Sequence, residues 1–150
     1  MASDLPHGLA DLQPIHDYDI LYRRVSAVQM TRDPKSELGW RVSSADWDDP
    51  EGDPSTYCAR LLEALELTKE AVLDGHATHT LVSIAVGIVR HDVGLDVIHD
   101  PEKWENDAHH RRSAHCVITG LPRASKQRKR AKEPLARKCE IVILREPDKP

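Results

Sequence analysis

Between Glu105 and Gly120 the chain reads ENDAHHRRSAHCVITG, which sets His109, His110, His115 and Cys116 within eight residues. Imidazole and thiolate are the usual ligands of zinc, and imidazole alone can act as a general acid or base near neutral pH. The spacing offers neither CxxC nor HxxxH. His115 and Cys116 begin a segment in which Cys116 and Ile118 alternate with Val117 and Thr119, so on a strand they point to opposite faces and do not share one ion. A ligand set would draw on His76 and His79 of GHATHT together with His115; no metal is assigned. His115 by itself, at the start of a strand after a long polar loop, is a candidate general acid or base. The plainer alternative is a half-exposed histidine that bonds the loop backbone.

Arginines supply the next chemistry. RRVSA (Arg23–Ala27) and RVSSADW (Arg41–Trp47) place guanidinium forks and hydroxyls on expected strands. Such forks hold carboxylates and phosphates, which makes Arg24 and Ser44 candidates for one ligand. Ordinary salt bridges with acidic neighbours would account for the same arginines. A third feature is electrostatic. From Arg123 to Lys138 eight cations face one acid, Glu133, although the whole chain carries a net charge of −4. Lys126, Arg128, Lys129, Arg130 and Lys132 could bind a polyanion by releasing its counterions, or pair with the acidic remainder of the chain. No aromatic residue interleaves them, so base stacking is not on offer. The sequence has no GxxxxGKS, GxGxxG, GxSxG or HExxH. This excludes the P-loop class, and no cofactor is assigned.

These residues need a frame. A chain of 150 residues, 39% hydrophobic and 31% charged, is long enough for one core. Three scattered cysteines without a CxxC pair suit a reducing compartment. The apolar run Leu81–Val89 is too short to span a bilayer, and the N-terminus lacks the pattern of a secretion signal. The expectation is therefore a cytoplasmic protein without a membrane association. Residues 1–16 read as an irregular arm and 17–146 as a single α+β domain. Strands are expected at Tyr18–Val25, Trp40–Trp47, Thr78–Val93, Leu95–Pro101, His115–Leu121 and Cys139–Arg145. Residues 102–113 read as polar loop. One long amphipathic helix is expected over Pro54–Asp74, with Asp53 as its cap, Gly75 after its end, and a stripe of Cys58, Leu61, Leu62, Leu65 and Val72. A shorter basic helix, 124–138, should be interrupted at Pro134. Five or six strands that do not alternate with helices imply a mixed or antiparallel sheet.

Two resemblances can be set on these residues. LYRRV, SSADW, the turn His99–Pro101 and AHCVITG (Ala114–Gly120) are similar in order to small uncharacterised bacterial proteins of unassigned function. That similarity points to Arg23 or Arg24, Ser44 and His115. LYRRV, WRVSS and YCARLLEAL (Tyr57–Leu65) resemble RES domains, toxin domains with an ADP-ribosyltransferase-like fold that consume NAD. The resemblance implies a site with Arg23 or Arg24 and Glu63; the family's glycine-rich turn and later serine have no counterpart here.

The leading expectation is a small bacterial binding or accessory protein of a multi-protein, defence-type or toxin–antitoxin system. It would contact an acidic protein partner or nucleic acid through Arg123–Lys138. The alternatives are an NAD-consuming enzyme with Arg24, Glu63 and His115 in its pocket, and a zinc protein built on the clustered histidines.

Overall fold

The structure is a computed structural model that describes residues 12–49, 52–101 and 107–146, and of 107–110 the backbone alone. The expected arm over 1–16 lies mostly outside the described residues. β1 (Ile20–Ser26) buries Leu21, Arg23 and Val25 on alternate positions, the period-two pattern of a strand. A two-stranded hairpin follows, β2 (Thr31–Arg32) and β3 (Trp40–Arg41), and then a 3-10 turn over Ser44–Trp47. The expected strand over 40–47 therefore ends after two residues. Asp46 supplies the reason: its carboxylate accepts the Ser43 backbone N–H at 2.8 Å and closes a capping box that starts the turn.

The long helix expected over 54–74 is not there. Ser55–Cys58 form β4, and only Ala59–Ala64 form a helix, α1. The backbone of β4 is used by the sheet, where Thr56 and Tyr57 pair with Cys116 and His115. Pro54 stands just before the strand, where its missing N–H costs the ladder nothing, and its carbonyl accepts the N–H of Ile118. α1 stops because Glu66 takes a left-handed conformation, φ 62°. The N–H of Leu67 then returns to the carbonyl of Leu62 at 2.9 Å, a Schellman closure with glutamate where glycine is usual. A 3-10 turn, Lys69–Leu73, completes the segment. The apolar stripe is nonetheless a guide to burial: Cys58, Leu61, Leu62, Leu65 and Val72 are all in the core. A strand end, two helical turns and a 3-10 turn can bury the same spacing as one helix.

β5 (His79–Ala85) is the apolar strand, with Thr80, Leu81 and Val82 buried in succession, so both its faces are covered. It ends earlier than expected, and Ile88–Val93 form a π-helical turn. Gly87 permits the change of direction by lying on the chain at Asp17: its N–H donates to the Asp17 carbonyl at 2.8 Å, and a Cβ at 87 would sit 3.2 Å from that oxygen. β6 (Asp96–His99), β7 (His115–Thr119) and β8 (Glu140–Ile143) match the remaining expectations closely. The expected loop before β7 contains a 3-10 segment, Asp107–Ala114.

α2 (Ser125–Lys138) runs unbroken through Pro134. A proline inside a helix costs about 3 kcal/mol. The fully buried Leu135 beside it and the buried Lys132 hold the turn against the body.

The six main strands form one antiparallel sheet in the order β6-β7-β4-β1-β5-β8, an α+β arrangement. Arg23 lies 5.2 Å from the Trp47 ring, whereas its neighbour Arg24 reaches the carbonyl of Val72. Adjacent strand residues point to opposite faces, so the Trp47 turn packs on one face and the Lys69–Leu73 turn on the other. Among the described residues no helix is long and apolar enough to cross a membrane.

Candidate active site

β1 pairs with β5 along seven positions, Ile20↔Ala85 to Ser26↔His79. With β4 it pairs only at Leu21↔Cys58 and Tyr22↔Tyr57. Beyond those two pairs a cavity of about 250 Å³ opens, lined by residues that include Arg23, Arg24, Ser55, Tyr57, His76 and His79. The Arg23 side chain fills part of the gap. It donates from Nε and one terminal nitrogen to the Asp46 carbonyl at 3.0 and 2.9 Å, and from the other terminal nitrogen to the Ser55 carbonyl at 2.9 Å. It also pairs with Asp49 at 2.7 Å. Asp49 in turn accepts the Ser55 N–H at 2.8 Å. The backbone of Ser55 is thus clamped at both its N–H and its carbonyl.

The side chain of Ser55 meets His115. Ser55 Oγ hydrogen-bonds Nε2 of His115, whose other nitrogen, Nδ1, lies 2.7 Å from the carbonyl oxygen of Asp100. A carbonyl oxygen can only accept, so Nδ1 carries the proton. In the neutral ring Nε2 is then an acceptor and takes the Ser55 hydroxyl hydrogen. The Asp100 carboxylate stands 3.4 Å from Nδ1 and would steady a positive ring. His115 is buried, whereas Ser55 is half-buried and lines the cavity. A hydroxyl, a base aimed at it and a group that orients the base are the parts needed to activate a nucleophile.

On the same face Tyr57 joins this group to Arg24. The Tyr57 and His115 rings meet edge-on with centroids 5.5 Å apart, and the Arg24 guanidinium lies 5.4 Å from the Tyr57 centroid. Arg24 donates to the Val72 carbonyl at 3.0 Å. Among the described residues it has no carboxylate within ion-pair distance. His76 and His79 pack edge-on at 5.1 Å beside it. Burial, reinforced by the Arg24 charge, pushes His76 down to about 4 and lowers His79 as well. Both imidazoles are therefore neutral at pH 7. In the opposite wall burial raises the Asp46 carboxyl above the usual range.

Of the expected site residues, Arg24 and His115 are brought together, one on each side of Tyr57. Ser44 lines a different and larger groove, about 860 Å³, between the β2–β3 hairpin and α2. Glu63 is exposed on α1 and does not line the cavity with Arg24. No group of three His, Cys, Asp or Glu among the described residues could hold a metal ion; the side chains of His109 and His110 lie outside the described residues. The basic helix divides in two. Lys132 and Arg128 turn inward to Asp48, at 3.0 and 3.7 Å, and Arg128 also donates to the Gly52 carbonyl. Lys126, Lys129 and Arg130 face solvent. Ser55, Tyr57 and Asp100 are not among the expected site residues. The one cue to Asp100 is its place in the His99–Pro101 turn.

Compared with protein-family models, curated proteins and solved structures, the chain matches none. The reading of the cleft rests on its own geometry.

Proposed function

We propose that this chain is an acyl-transfer enzyme, in its simplest form an esterase, with Ser55 as nucleophile and His115 as general base. The observation that carries the reading is the bond from Ser55 Oγ to an imidazole whose tautomer is fixed by Asp100. As Oγ attacks the substrate carbonyl carbon, its proton passes to His115 Nε2. The tetrahedral adduct collapses, the bond to the leaving oxygen breaks, and that oxygen departs with the proton from Nε2. Water then attacks the Ser55 ester. His115 takes a proton from it and returns it to Oγ, which releases the acid and restores the hydroxyl. A fluorophosphonate probe with intact-mass readout tests this. One adduct on the folded protein is expected, absent in Ser55→Ala and slower to form in His115→Gln. Turnover of short 4-nitrophenyl esters should fall by up to about 10⁶ in Ser55→Ala, the scale seen when a serine nucleophile is removed. No adduct at Ser55 would overturn the reading.

A second reading is a binding or accessory role toward nucleic acid or an acidic protein partner. Lys126, Lys129 and Arg130, with Arg137, supply its support, since they are exposed along α2. Its test is an RNA or DNA titration at two salt concentrations: affinity should fall steeply with salt and fall further in Lys126→Gln/Arg130→Gln.

A further inference from the structure

The charges around the cleft do not balance evenly. Arg23 is matched by Asp49, and Lys132 and Arg128 by Asp48. Arg24, part-buried in the cavity wall, has its tie to the Val72 carbonyl and the Tyr57 ring but no carboxylate among the described residues. A guanidinium withdrawn from water without a counter-ion is costly, and it has five donors, more than one carbonyl can use. The same charge bears on His76 and His79, which line the cavity with it.

Resting on the acyl-transfer reading, we infer that the substrate is a small acyl compound bearing a carboxylate, and that this carboxylate docks on Arg24 while its ester carbonyl lies at Ser55. A single anionic charge fits better than a phosphate dianion. Arg24 is the one cation of the lining without an acidic partner among the described residues, since Arg23 is already matched by Asp49, so a single negative charge is what the wall can balance. The cavity, about 250 Å³, admits a short molecule. Tyr57 lies between Arg24 and His115, in contact with both. It therefore sets the spacing between the substrate's anionic group and its reacting carbonyl.

Two esters with the same leaving group test this: the 4-nitrophenyl monoester of adipic acid and its analogue with the free carboxylate capped as a methyl ester. The unaltered chain should hydrolyse the carboxylate form with kcat/KM about tenfold or more above the capped form, the scale of one charge-assisted contact. Arg24→Gln should bring that ratio toward one, Arg24→Lys should keep part of it, and Arg24→Glu should invert it. The ratio compares two substrates on one protein, so partial loss of folded material does not move it. If Ser55 takes the fluorophosphonate and both esters turn over equally, the carboxylate assignment is overturned while the nucleophile stands. If Ser55 takes no label and neither ester turns over, both fall together.

Discussion

Arg23 and Arg24 are neighbours on β1 and meet opposite fates. Arg23 is buried, bonded to two carbonyls, and paired with Asp49. Arg24 is part-buried and, among the described residues, donates to one carbonyl and has no carboxylate. A saturated guanidinium is a structural clamp, since any ligand would have to displace bonds already made. An unsaturated one keeps donors for something else. The side of β1 that faces Trp47 is thus finished as a structure, whereas the side that faces Tyr57 leaves guanidinium donors facing a cavity. Identical side chains at consecutive positions therefore say little until their partners are counted.

Breaking the two arginines separately should expose this difference. Arg23→Met takes the cation from Asp49 and a donor from two carbonyls, and the chain should lose about 3 kcal/mol in urea denaturation, the lower end for breaking a buried pair because Asp49 is only part-buried. Arg24→Met removes a charge that has no counter-ion among the described residues, so the same measurement should change by about 1 kcal/mol or less, one hydrogen bond traded against relieved desolvation. Equal losses in the two variants would erase the contrast.

The pH dependence sharpens it further. His76 and His79 titrate below the ordinary histidine value, chiefly through burial and then through Arg24. Between about 6.5, where a free histidine takes its proton, and the value near 4 of folded His76, the unfolded chain binds more protons than the folded one. Stability from these groups is present above that window and is lost as pH falls through it. Melting temperatures recorded from pH 7 to pH 4 should decline, and the decline should be shallower in Arg24→Met. An identical slope would show that Arg24 does not act on these rings. The smallest effect concerns α1. Glu66→Gly relieves a left-handed glutamate and should raise stability by about 0.5–1 kcal/mol, a difference that paired denaturation curves resolve.

Alternation makes the strands legible, because side chains that switch face at every residue are the mark of extended backbone. β1, β6, β7 and β8 fall within a few residues of their expected places. The segment 54–74 reads falsely as one helix because Cys58, Leu61, Leu62, Leu65 and Val72 are buried whichever backbone carries them. What decides against a long helix is the pairing of β4 with β7, about 60 residues away, which local spacing does not encode. The site divides in the same way. His115 and Arg24 stand out by type and by position on a strand. Ser55 is an ordinary serine until the sheet register carries it to His115, 60 residues along the chain. On α2 the eight cations look alike in the sequence, and only the fold turns Lys132 and Arg128 toward Asp48 while Lys126 and Arg130 stay in water.

The proton on His115 Nδ1 is held by the main-chain oxygen of residue 100, and the carboxylate there stands farther off. Every amino acid brings that oxygen. Asp100→Asn should therefore leave the imidazole aimed at Ser55 and weaken only the support for its charged form. The orientation of the base is thus insulated from sequence drift at that position. A change of side chain at residue 100 would thus tune the charged state of the base without turning it away from Ser55, so long as the turn that presents the carbonyl stays fixed.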